Sequence, residues 1–266
     1  MRRDAIVAAI AGAFAAGLTL VALTTRPRLT AVTPYFEANA KTLTGAKDIV
    51  GAIVVDFRAF DTLIEIAVFS LAGLGIYALL RYAAKGDEEP GWSDKRDGGE
   101  SDWLKTRGIG GKETSSFLHA LAYLSLPVSM VIAIVHILYG HDQPGDGFTA
   151  GVIVSLAIGF WYVIFGFEGV KPRLSWLRPH RFIGAGLLLA LAAATSAYFI
   201  AGTFFGHVDY GVLLGIRLPS GVNFSTSLLF EFSICLAVLG SASLIIDTLG
   251  HPQDEPCDEI VGSEAT

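Results

Sequence analysis

Six stretches of this sequence, residues 5–24, 62–82, 117–139, 148–167, 182–201 and 226–249, are apolar and almost free of charge. A hydrocarbon core about 30 Å thick takes roughly 20 helical residues to cross, and inside it every backbone N–H and C=O must be paired within its own segment. Those two requirements predict an all-α integral membrane protein with about six transmembrane helices. Composition agrees, since 52% of the 266 residues are hydrophobic and only 17% are charged. A net charge of −6 argues against nucleic acid as a partner, because phosphate recognition needs a positive face. The partner that the apolar runs imply is the lipid bilayer. Cys235 and Cys257 form no C-x-x-C pair and are read as incidental.

The basic residues set the orientation. Thirteen of nineteen lie before the first run, from Arg81 at the end of the second run to the third, or between the fourth and fifth. Five, Arg26, Arg28, Lys41, Lys47 and Arg217, fall in the alternate connections, and Arg58 stands beside the start of the second run to complete the nineteen. The positive-inside rule then places both termini in the cytoplasm. The first run reads as a signal anchor, because it is long and no small-x-small cleavage site precedes Arg26. Residues 86–116 are rich in Gly, Asp and Lys and too poor in aliphatics to bury a core, so they read as a cytoplasmic linker. It separates a two-helix segment, 1–85, from a four-helix domain, 117–250, and an acidic cytoplasmic tail follows over 251–266.

Ionisable residues inside a span are costly and mark function, so the few that remain near the runs are the candidates. On a continuous helix Arg58, Asp61 and Glu65 fall within about 60° of one another while Asp56 points elsewhere, giving one face able to hold a cation or pass a proton. The competing reading is structural: Thr62-x-x-Glu65 is a capping-box pattern, with Arg58–Asp61 an interfacial ion pair. Glu231 lies several residues into the last run with no Ser or Thr three positions before it, so it stands either as an ion-path group or as a carboxyl hydrogen-bonded to a neighbouring helix.

Between the third and fourth runs, His136 is followed by Gly140-His141-Asp142-Gln143-Pro144-Gly145-Asp146-Gly147-Phe148. Gly and Pro this dense specify a tight turn, with Asp146 able to cap the next helix. A metal site from His136, His141, Asp142 and Asp146 is disfavoured, because a five-residue step turns His141 about 140° from His136 on a helix. No metal and no cofactor are expected. His207 and Asp209 read as ordinary outer-loop residues. All lysines lie outside the runs, and phosphate-binding loop, serine-elbow and cysteine-cluster motifs are missing, which argues against an enzyme or a self-sufficient pump.

Two of these clusters carry a family resemblance. Tyr35-Phe36-Glu37-Ala38-Asn39 and the stretch from Ile53 to Glu65 resemble the C-terminal part of the large A-type protein of Mrp-type multisubunit Na⁺/H⁺ antiporters, the region called MbhE in membrane-bound hydrogenases. The turn from Gly140 to Phe148, with Ala150-Gly151, Ser225-Thr226 and Leu229-Phe230-Glu231, resembles the B-type protein of the same complexes, the MnhB domain. The resemblance covers residues 34–82 and 117–250. It departs where Asp142 and Asp146 replace an Asn and a Gly of the usual turn, and where Glu231 stands for the commoner Asp. The two extra acids suggest a cation-concentrating mouth.

The resemblance implies a multi-pass subunit of the bacterial inner membrane in which proton uptake drives Na⁺ export. It also implies partners that are other Mrp-type subunits, including antiporter-like proton-pumping ones. Glu65 with Asp61 is then the first choice for a relay and Glu231 the second, with Arg58 and His136 as further path candidates. The alternatives are an equivalent subunit of a redox-driven complex of the membrane-bound hydrogenase type, and a purely structural scaffold.

Overall fold

A computed structural model describes residues 2–25, 31–86, 116–215 and 222–250. The expected linker and acidic tail lie almost wholly outside the described residues. The chain divides into two compact units, residues 1–39 and 40–266. The first unit holds helix α1, Arg2–Thr25, and most of α2, Thr33–Thr44. In the second, a short α3, Ile49–Ala52, passes into a π-helical turn, Ile53–Phe57, and then into α4, Ala59–Gly86. It continues with α5, Ser116–Tyr139, α6, Gly147–Val170, α7, Pro179–Ala201, the single-turn α8, Tyr210–Leu214, and α9, Thr226–Gly250.

Five helices among the described residues are long and apolar enough to span a membrane: Ala59–Tyr82, Ser116–Tyr139, Gly147–Phe167, Pro179–Ala201 and Thr226–Gly250. The first run, expected as a sixth span, is helical, but its apolar stretch is confined to Ile6–Ala22. In the third of the five, Gly166 adopts φ 68°, a left-handed conformation that breaks the helix where the apolar run ends.

Helix α9 is the centre of the second unit. Its most apolar stretch is 67% buried, against 17% for α4, and it packs on α4, α5, α6 and α7. Lipid is as apolar as leucine, so helices in a bilayer gain little from burying leucine and associate instead by close backbone approach at small residues. That is what the contacts show. A Cβ on Gly186 of α7 would lie 2.6 Å from the Ala237 nitrogen, and one on Gly151 of α6 would lie 2.9 Å from the Cys235 carbonyl oxygen. Gly73 of α4 sits against Ser241, whose hydroxyl donates to Ser70 of α4 at 3.3 Å. The outward faces of α4 and α5 remain apolar and exposed, as at Val68, Leu71, Leu124 and Val131.

Candidate functional site

The site begins with the π-helical turn. Closing its ring, Arg58 N donates to the Ile53 carbonyl at 2.8 Å, and Arg58 then leaves helical geometry at φ −124°, ψ 27°. The inserted residue re-aims what precedes it, as π-bulges do. Thr62 Oγ1 donates to the Val54 carbonyl at 2.8 Å and stabilises the break. The capping-box reading is therefore corrected: α4 starts at Ala59, and Thr62 lies inside it with its hydroxyl already engaged.

The acid that turns inward is Asp56. Expected to point away from the face of Arg58, Asp61 and Glu65, it does so: its side chain is only 6% exposed, and its Oδ1 accepts from Ser227 Oγ of α9 at 2.6 Å. Arg58 and Asp61 pair with one another, Nη2 to Oδ2 at 2.5 Å, on the outer surface of the chain, and Glu65 is also exposed. The three residues of the stripe thus stay on one face, and that face is turned away from α9.

The tight turn docks onto the same region. Tyr139 O accepts from Asp142 N at 2.9 Å and Gln143 N at 2.8 Å, and Gly145 packs against the His136 ring. His136 Nδ1 lies 2.9 Å from the carbonyl of Ile132 in its own helix, a local bond. Pro144 is exposed, and the Phe148 ring packs edge-on to Phe69 of α4 at 6.1 Å. Asp142 pairs with Lys47 at 2.5 Å, and the His141 carbonyl accepts from Lys47 N and Asp48 N. Asp146 caps α6, its Oδ1 accepting from Thr149 N at 2.6 Å. Both acids thus have local partners, which leaves less free charge for a cation-concentrating mouth.

Glu231 is buried, 3% exposed, and bridges two helices by accepting at Oε2 from Gly147 N, the first residue of α6. Nearby, α7 ends on Gly202 in the left-handed region, and the loop after it is clamped to the start of α9. Thr226 N donates to Val208 O at 2.9 Å and Val208 N donates to Thr226 Oγ1 at 3.2 Å. That clamp places His207 Nδ1 3.4 Å from Ser227 Oγ and 3.5 Å from Asp56 Oδ1. His141 Nδ1 faces Asp56 Oδ2 at 4.0 Å, and the two imidazoles stack nearly parallel, 5.6 Å apart. A small cavity is lined by His141, Asp142, Ser225, Ser227 and Glu231, so His141 and Glu231 border the same space. Sequence reasoning passed over Asp56 and His207. The only usable signal was Asp56 itself, an acid beside an apolar run.

Comparison with known proteins places this geometry among relatives. Residues 117–244 match the family model described as a domain related to the MnhB subunit of Na⁺/H⁺ antiporter, and residues 1–90 match the MbhE model, which describes the E component of MBH. A probable K⁺/H⁺ antiporter protein of combined A/B type from Rhizobium meliloti (strain 1021) is 32% identical over 259 residues, which are 94% of this chain and 25% of the relative. The B-type protein of the Na⁺/H⁺ antiporter of Bacillus subtilis (strain 168) is 31% identical over 121 residues, 44% of this chain and 79% of the relative. A chain of the Mrp complex from Dietzia sp. DQ12-45-1b superposes with a TM-score of 0.65 at 26% identity, covering 96% of this chain and 27% of that chain. The chain therefore spans about a quarter of the length of the first of these relatives.

Proposed function

Since the chain belongs to the family of Mrp-type antiporter subunits, joining an A-like part to a B-like part, we propose that it serves within the bacterial inner membrane as one subunit of a multisubunit cation/proton antiporter. In this reading it is part of a secondary transporter and no enzyme, with residues 1–85 as the A-like segment and 117–250 as the B-like domain. It supplies part of the ion path and packs against partner subunits, which include the proton-pumping ones. The cation is Na⁺. A second reading, K⁺, has its own support in the name of the Rhizobium relative matched along most of this chain. Running the exchange assay with each ion in turn separates the two.

The observation that carries the reading is buried Glu231, which lines a small cavity together with Asp142, Ser225 and Ser227. That end of the helices is the one the basic residues place outside. A carboxyl with one oxygen on a backbone N–H and a polar cavity beside it can take up either a proton or a cation. Antiport needs that alternation.

Glu65 supports the packing half of the reading. It lies within the Ala59–Tyr82 span yet on the exposed face of α4, beside exposed Ile64 and Val68. An acid within a span is costly where it faces hydrocarbon, so that face suits contact with another protein better than lipid. Glu65→Gln is expected to lower exchange in everted vesicles while the complex still assembles; full exchange by the assembled variant would remove Glu65 from the path. For the proposal as a whole, the test is purification through a tag on this chain in mild detergent. Antiporter-type subunits should co-purify, and recovery of Fe–S or nickel proteins instead would favour a redox-driven complex.

A further inference from the structure

Asp56, His141 and His207 come from three separate parts of the chain, the π-helical turn, the turn after α5 and the loop after α7, yet one ligand-type atom from each lies within 4.8 Å of the others. The protons can be followed. His141 Nε2 sits 3.0 Å from the Thr44 carbonyl oxygen, which can only accept, so Nε2 carries the hydrogen. In the neutral ring, Nδ1 is then a lone pair, and it faces Asp56 Oδ2, another acceptor. Both atoms are buried and neither has a hydrogen-bond partner. Asp56 Oδ1 is held by Ser227, and His207 Nδ1 approaches the same carboxylate from the opposite ring of the stack. Buried acceptors converging without a donor are costly unless something positive sits among them.

We propose that Asp56, His141 and His207 form a resident site for a divalent transition metal of the Zn²⁺ class. Two imidazoles and a carboxylate are a donor set for Zn²⁺ or Co²⁺ and a poor one for an alkali cation, which takes oxygen ligands, so the site is distinct from the path for transported ions. Bonds of about 2.0–2.2 Å require ligand atoms about 3.3 Å apart. His207 Nδ1 is 3.5 Å from Asp56 Oδ1 and His141 Nδ1 is 4.0 Å from Asp56 Oδ2, and since the three ligand atoms lie within 4.8 Å of one another, closing on a metal takes side-chain shifts. The surroundings fit as well. A ligating His donates its other N–H to a carbonyl or carboxylate, and a ligating carboxylate is hydrogen-bonded in turn. Thr44 O and Ser227 Oγ stand in those two places. A metal there would fasten the A-like turn to two loops of the B-like part.

The test uses the detergent-solubilised complex, stripped with a chelator, reloaded with Zn²⁺ and freed of loosely bound ion. Zinc is counted by mass spectrometry in wild type and in Asp56→Asn, His207→Gln and His180→Gln, the last a histidine at the start of α7 outside the site. The expected result is one zinc fewer per copy of this chain in Asp56→Asn and His207→Gln and no change in His180→Gln. Co²⁺ loading should also give a visible absorption band in wild type that both site variants lose. His207 is partly exposed, so its variant guards against a folding defect in Asp56→Asn, and a single size-exclusion peak checks both. Equal zinc in wild type and His207→Gln, with the cobalt band unchanged, would overturn the site.

Discussion

Replacing Glu231 by Gln is expected to cut cation/proton exchange in everted vesicles by roughly 10²-fold or more, the worth of a positioned proton-transfer group, while the complex still assembles. Gln keeps the length of the side chain and retains a carbonyl oxygen to accept from Gly147 N, so the bridge between α6 and α9 survives. What it loses is the ability to ionise. Glu231→Asp restores an acid of the kind common at this place in resembling B-type proteins and should return a measurable part of the exchange. Glu231→Leu would be less informative. It strands a buried N–H as well as removing the acid, and a stranded donor alone costs about 1–3 kcal/mol. Undiminished exchange by assembled Glu231→Gln would leave Glu231 a structural bridge only.

The second large effect is one of packing. Gly147→Val should prevent assembly, seen as loss of the intact complex on size exclusion. A Cβ on Gly147 would overlap the Glu231 carbonyl oxygen and lie 2.9 Å from Glu231 Oε2, so any side chain must push α6 away from α9. Overpacking of this kind costs typically about 1–3 kcal/mol where neighbours can shift, and here the obstruction is backbone. Gly75 provides the contrast. Nothing lies within 4 Å of a Cβ built there, so Gly75→Ala should leave assembly and unfolding temperature unchanged. An assembled Gly147→Val with a wild-type melt would contradict the close contact.

The helices were legible because one constraint, the match of apolar length to bilayer thickness, acts on each segment alone. Even the end of the fourth run at Phe167 follows from a local cause, the left-handed Gly166. The buried site was legible only where a residue's place along its own helix marks it, as with Glu231 inside the last run and Asp146 at the start of α6. Arg58, Asp61 and Glu65 stay on one face and Asp56 off it, as the spacing has them. Spacing does not report which of the two sides meets the core, and that side is the one of Asp56. Its partners could not be found from spacing either, since Ser227 lies 171 residues away and His207 is delivered by a clamp between a loop and α9.

Glu65 and Glu231 divide the two parts of the proposed role. One lies on the exposed face of α4, where a neighbouring protein of the complex would cover it, and the other lies on a buried face of α9, where ions would pass. The most direct measurement reconstitutes the complex, purified through this chain, into proteoliposomes and follows internal pH after an imposed Na⁺ or K⁺ gradient. The account predicts cation-driven proton movement in the opposite direction in wild type and little with Glu231→Gln. A sealed, fully assembled wild-type complex that moves no protons in response to either cation would contradict it.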